Sequence, residues 1–138
     1  MENFPFSSTA KIIKDPSHPS TRKAEGWIIG LVDAEICKYY SWWLSKRGCK
    51  VNLSAWRPHI TIINGDKVPY RFTSLPKTIR FSYSSKMLTN GKHFWLPIQS
   101  TDIMNLRKEA NCSGPPLHLT IGYLTHELPI WMQEYRVT

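Results

Sequence analysis

Two short stretches of the chain repeat the same residue types. Pro58-His59-Ile60-Thr61-Ile62 and Leu117-His118-Leu119-Thr120-Ile121 each read His, apolar, Thr, apolar after the first position. Two imidazoles can act as proton acceptor and proton donor in one reaction near neutral pH. Two hydroxyls can hold the non-bridging oxygens of a phosphate. Protonated imidazole and hydroxyl groups can also offset the charge that develops at phosphorus, so this chemistry needs no cation. A single His-x-Thr is weak and ordinarily a solvated surface pair. The duplication at all four positions is what points to acid–base catalysis on a phosphodiester.

These residues need elements to carry them. The apolar stretches around Trp56–Ile63 and Leu117–Leu124 predict two strands. Period-two geometry then sets His59 with Thr61, and His118 with Thr120, on the faces opposite Ile60, Ile62, Leu119 and Ile121. Polar pairs on strong strands are costly to bury without partners, and a cleft between the two strands supplies a reason for them. On the same parity argument Tyr123 belongs to the core face. Upstream, Gly26–Val32 predicts a buried strand, and Asp33 can cap a helix over Ala34–Arg47 that Gly48 stops. Ile79, Phe81 and Tyr83 alternate with polar residues as a half-buried strand does. Asn90-Gly91 signals a tight reversal into a return strand over Lys92–Ile98, with Pro97 marking an edge or an end. Ser100 or Thr101 can cap a second helix reaching about Ala110, with Ile103, Leu106 and Ala110 on its apolar side. Short helices on a largely antiparallel sheet make an α+β class. A single domain spans 1–138. Residues 1–24, interrupted by Pro5, Pro16 and Pro19, read as a loop-like N-terminal arm. That arm or residues 64–76 can supply a lid.

The paired motifs resemble the His-x-Thr/Ser signatures of the two-histidine phosphoesterase superfamily, which includes RNA-ligase-like cyclic phosphodiesterases. The resemblance covers residues 26–124. It implies a compact bilobal fold, one motif per lobe, short helices packed outside and a central cleft. It further implies catalytic His59 and His118, phosphate-binding Thr61 and Thr120, and neither metal nor cofactor. Within the superfamily, the small size and the Trp-rich first helix look most like phage-encoded anti-CBASS enzymes, which cleave 3′–5′ linkages of cyclic di- and trinucleotide immune signals. That branch would place the chain in the host cytoplasm. Other branches open 2′,3′-cyclic phosphates or process RNA ends.

Composition agrees with an anionic partner. Lys and Arg number 18 against 10 Asp and Glu, a net charge of +8, which attracts a cyclic oligonucleotide or another small RNA-like ligand. Arg57 shares strand parity with His59 and is a candidate phosphate contact. Trp95 shares a face with His93, and either can stack on a base. Three cysteines, none at CxxC spacing, fit a reducing, cytoplasmic setting better than a disulfide framework. No signal peptide and no membrane-length apolar run is evident. No P-loop, GxSxG or HExxH motif offers another enzyme class. A zinc site from His59, His118 and a third residue is the competing metal reading. A small RNA-binding module and a protein-interaction domain with incidental histidines are the non-enzymatic ones.

Overall fold

The computed structural model describes residues 4–14, 27–53, 57–63, 75–110 and 114–137. Among these residues lie seven strands and two α-helices. In chain order they are β1 (Phe6–Lys14), β2 (Ile28–Leu31), α1 (Ala34–Lys46), β3 (His59–Ile63), β4 (Thr78–Tyr83), β5 (Leu88–Thr89), β6 (His93–Gln99), α2 (Thr101–Glu109) and β7 (His118–Tyr123), followed by a 3-10 helix over Ile130–Tyr135. The class is α+β, as expected. Every pairing between these strands is antiparallel, along the path β3-β2-β1-β4-β6-β5, with β7 added on β6.

The N-terminal segment departs from expectation. Within the presumed loop-like arm over residues 1–24, Phe6–Lys14 forms β1, which pairs with both β2 and β4 in the middle of the sheet. No proline falls inside this stretch. Its thin apolar content misleads because close packing of the strand supplies what large side chains otherwise would. Ala10 is buried, and a Cβ on Gly30 of β2 would sit 2.9 Å from the Ala10 methyl. A central strand is not a lid. The other proposed lid, residues 64–76, lies outside the described residues up to position 74.

Both helices start on the expected caps. The Asp33 carboxylate accepts from the Glu35 amide at 3.0 Å, and α1 ends before Gly48, whose φ of 77° suits a residue without Cβ. Cys37, Tyr40 and Leu44 form its buried stripe. The Ser100 hydroxyl accepts from the Ile103 amide at 3.1 Å and donates to the Arg80 carbonyl at 2.6 Å. The Asp102 carboxylate accepts from the Arg80 amide at 2.8 Å, so the start of α2 is fastened to β4. The helices pack outside the sheet, α1 against β7 and α2 against β3 and β4.

Pro97 is corrected as an edge marker: β6 continues to Gln99 and has neighbours on both sides. The Pro97 carbonyl accepts from the Ser84 amide, so the absent Pro97 N–H also faces the gap between β4 and β5, where the ladder is already interrupted. Asn90-Gly91 does reverse the chain, with Gly91 at φ 95°, although it joins β6 to the two-residue β5 rather than directly to β4.

Candidate active site

The strands carrying the repeated motifs, β3 and β7, stand far apart along the pairing path yet come into contact with each other. Curling of the sheet therefore brings the two His-x-Thr strands side by side. The alternation expected within each holds: Ile60, Ile62, Leu119 and Ile121 are buried, while His59, Thr61 and Thr120 are half-buried and His118 is exposed.

Both imidazoles are held in the same way. His59 Nδ1 lies 2.9 Å from the carbonyl oxygen of Arg57, and His118 Nδ1 lies 3.1 Å from that of Pro116. A carbonyl can only accept, so each Nδ1 carries the proton of its bond. Each neutral ring is thereby fixed as the tautomer whose lone pair is on Nε2, the atom that can take or give a proton. In both cases the carbonyl belongs to the residue two positions earlier, at the entry to the strand.

Two adjoining cavities surround these groups. The larger, about 1080 Å³, is lined by His118, Thr120, Trp95 and Arg107 among others. The smaller, about 330 Å³, is lined by His59, Arg57, Cys37 and Tyr123 among others. His93 and Thr120 line both. Of the residues singled out from sequence, His59, His118, Thr120, Arg57 and Trp95 thus border this region. Among the described residues Thr61 lines neither cavity, and its carbonyl instead faces Arg107. Trp95 lies opposite Thr120 across the β6–β7 ladder, and Pro97 lies opposite His118.

Tyr123 is a correction. Thr120 pairs with Trp95 but Gly122 pairs with Phe94, so Ile121 is an extra residue in β7. This bulge shifts the parity of the residues after it. Gly122 takes the core side and Tyr123 turns to the side of His93, their ring centroids 6.4 Å apart. Arg107 was not anticipated either. It is 4% exposed, and its guanidinium donates to the carbonyls of Ile62 (2.8 Å), Pro115 (2.9 Å) and Thr61 (3.2 Å). The available signal was its helical spacing: Arg107 follows Ile103 by four residues and precedes Ala110 by three, which puts a charge on the apolar stripe. Gly114 passes directly over it, since a Cβ there would lie 2.7 Å from the guanidinium carbon.

Among the described residues no three His, Cys, Asp or Glu side chains cluster closely enough to hold a metal ion. Nor is any helix among them long and apolar enough to cross a membrane. No family model, no curated protein and no solved structure matches the chain.

Proposed function

We propose that this protein is a metal-independent phosphodiesterase of the two-histidine type, cleaving 3′–5′ linkages in cyclic di- or trinucleotides. The observation that carries the reading is the matched pair of Nδ1–carbonyl bonds at His59 and His118, on strands that adjoin each other. The tautomer alone is not distinctive, since His126 Nδ1 also lies 3.0 Å from a carbonyl, that of Glu127. What sets His59 and His118 apart is that both bond the carbonyl two residues earlier, each at the first position of its strand. The bilobal plan belongs to the same proposal. In it β2-α1-β3 is one lobe and β6-α2-β7 the other, each a strand, a helix and a motif strand.

In the proposed reaction, Nε2 of one histidine takes the proton of a ribose 2′-hydroxyl. The 2′-oxygen bonds to the adjacent phosphorus as the bond from phosphorus to the 5′-oxygen breaks. Nε2 of the other histidine gives its proton to the departing 5′-oxygen, leaving a 2′,3′-cyclic phosphate and a 5′-hydroxyl. Water can then open that ring with the two roles exchanged. The Thr120 hydroxyl, at the junction of the cavities, is suited to a non-bridging oxygen, whereas Thr61 has the equivalent role in this proposal from its motif position alone, since it lines neither cavity. Trp95 offers a stacking face in the larger cavity. That cavity, at about 1080 Å³, lies just above the roughly 300–1,000 Å³ usual for small-molecule sites, which suits an oligonucleotide ring better than a mononucleotide.

The test is product analysis in EDTA with a panel of 3′,3′-linked cyclic di- and trinucleotides, a 2′,3′-cyclic mononucleotide and a short RNA. His59→Ala and His118→Ala proteins run alongside. Cleavage of the cyclic oligonucleotides, lost in both variants, is the expected result. Cleavage of the mononucleotide or RNA alone would move the protein to the cyclic-phosphate or RNA-end branches. Salt-sensitive binding of RNA without turnover, unaffected by either variant, would replace the enzyme with a binding module.

A further inference from the structure

A third cavity, of about 570 Å³, lies beside α1 and takes its lining from different residues. Six aromatic side chains border it: Phe6, Tyr39, Tyr40, Trp43, Tyr83 and Tyr135. They meet as pairs. Phe6 and Tyr83 have centroids 5.3 Å apart, Tyr39 and Tyr40 meet edge to face at 5.1 Å, and Trp43 and Tyr135 meet edge to face at 6.1 Å. Phe6 and Tyr39 are exposed, Trp43, Tyr83 and Tyr135 half-buried and Tyr40 buried, so part of this ring surface is open to solvent.

The lining itself carries more acid than base. In a chain carrying +8, this cavity is bordered by two carboxylates, Glu35 and Glu134, and by one cation, Lys86. Lys38, outside the lining, pairs with Glu35 at 3.4 Å, which leaves Glu134 as the rim carboxylate with no ion pair among the described residues. The ring faces already attract positive charge. Lys86 Nζ lies 5.6 Å from the centroid of Tyr135, and the Arg47 guanidinium lies 3.7 Å from that of Trp43. Ring quadrupoles draw in cations, and most readily those that give up water easily. The Lys86 ammonium is strongly hydrated and sits on a long, exposed stem, so a less hydrated cation can displace it.

We infer that this aromatic cavity is a binding site for an alkylated ammonium cation, held by the ring faces with Glu35 and Glu134 at its rim. The carboxylates exclude a phosphate here, and the aromatic lining disfavours a small hydrated metal ion. The cavity exceeds the size of a trimethylammonium head, so the cation belongs to a larger body. This site is independent of the histidine region and of the reaction proposed there.

The probes are choline and its uncharged carbon analogue 3,3-dimethylbutan-1-ol, titrated into the full chain while the Trp and Tyr ring protons are followed by NMR. The expected result is saturable choline binding with shifts at Trp43 and Tyr135, at least about tenfold tighter than the alcohol. A Glu35→Gln/Glu134→Gln double variant should lose most of that preference, and Lys86→Met should strengthen choline binding. All three positions are exposed, so the fold should survive the substitutions. Equal binding of the two probes, no binding of either, shifts confined to other rings, or a preference that persists in the double variant would each overturn the assignment.

Discussion

Arg107 reaches from α2 to β3 and donates to the main-chain carbonyl of Thr61 at 3.2 Å. The other half of the molecule has a counterpart, in which the Cys37 thiol of α1 donates to the carbonyl of Thr120 at 3.5 Å. Each motif strand is therefore held, at the carbonyl of its own threonine, by a side chain from the helix of the other strand–helix–strand unit. The two contacts differ in strength. A guanidinium hydrogen-bonded to three carbonyls is a charge-assisted clamp, whereas a thiol is a weak donor.

Removing the clamp should damage stability as well as activity. Arg107→Met leaves the buried carbonyl of Ile62 and the partly buried carbonyls of Thr61 and Pro115 without this donor, and an unsatisfied buried group costs about 1–3 kcal/mol. A loss of about 3 kcal/mol in urea unfolding is expected. Arg107→Lys keeps the charge but not the fork, and it should lose less. Equal stability of all three proteins would show that the clamp contributes nothing.

Cys37 yields a prediction about alkaline pH. Burial pushes its thiol up from 9.0 to about 11. Well below pH 9 the thiol is protonated whether the chain is folded or not, and stability does not depend on it. Between the two values the unfolded chain releases the proton while the folded chain keeps it. Stability therefore falls as pH rises, by about 2 kcal/mol over the window. Cys37→Ser retains a donor to Thr120 and does not titrate. Urea midpoints at about pH 8 and about pH 10.5 should differ less for this variant than for the parent. An identical difference in the two proteins would rule out Cys37 as the source.

The legible parts of this protein were those with strong local signals. Asp33, Ser100, Gly48 and Asn90-Gly91 act through hydrogen bonds or dihedral freedom within a few residues, and they start a helix, stop one or reverse the chain as expected. The alternation in β3 and over His118–Ile121 is equally local. The misreadings are long-range. β1 is poor in large apolar residues because it pairs on both sides and packs Ala10 against Gly30. Tyr123 changes face because Ile121 is an extra residue relative to β6, and register with a distant strand leaves no mark in the sequence of β7. Arg107 sits on the apolar side of α2, but the carbonyls of β3 and Pro115 that satisfy it in the interior lie elsewhere in the sequence. Cys112, the third cysteine, lies outside the described residues.

The bulge region offers a sharp steric test. A Cβ on Gly122 would lie 2.6 Å from the carbonyl oxygen of Asn52, a main-chain atom that cannot move without breaking the bonds joining Asn52 to Tyr123 at 2.8 and 2.9 Å. Gly122→Ala should therefore destabilise by about 1–3 kcal/mol, as overpacking does. Gly48→Ala is the control. A Cβ added there would meet no atom within 4 Å, so only the positive φ is strained, at about 1–2 kcal/mol. Gly48→Asn should recover much of that loss, because Asn tolerates this region, whereas Gly122→Asn should not. Urea midpoints of the four proteins decide the matter. A Gly122→Ala protein as stable as the parent would mean that β7 does not hold this register.

Trp95 and Thr120 face each other across β6 and β7 and both border the larger cavity, yet the proposed reaction gives them different tasks. Trp95 stacks on a base, which holds substrate and transition state alike, so Trp95→Ala should raise KM about tenfold and leave kcat nearly unchanged. The Thr120 hydroxyl meets a phosphate oxygen whose charge grows as the 2′-oxygen attacks. Thr120→Val, which keeps the shape and removes the donor, should lower kcat by about a hundredfold with little change in KM. Because the two residues are direct cross-strand neighbours, the double variant should depart from the product of the two effects, and the size of that departure measures their coupling. A Thr120→Val protein with unchanged kcat would remove the threonine from the chemistry. Loss of kcat in Trp95→Ala would mean instead that the ring positions the reacting phosphate rather than a remote base.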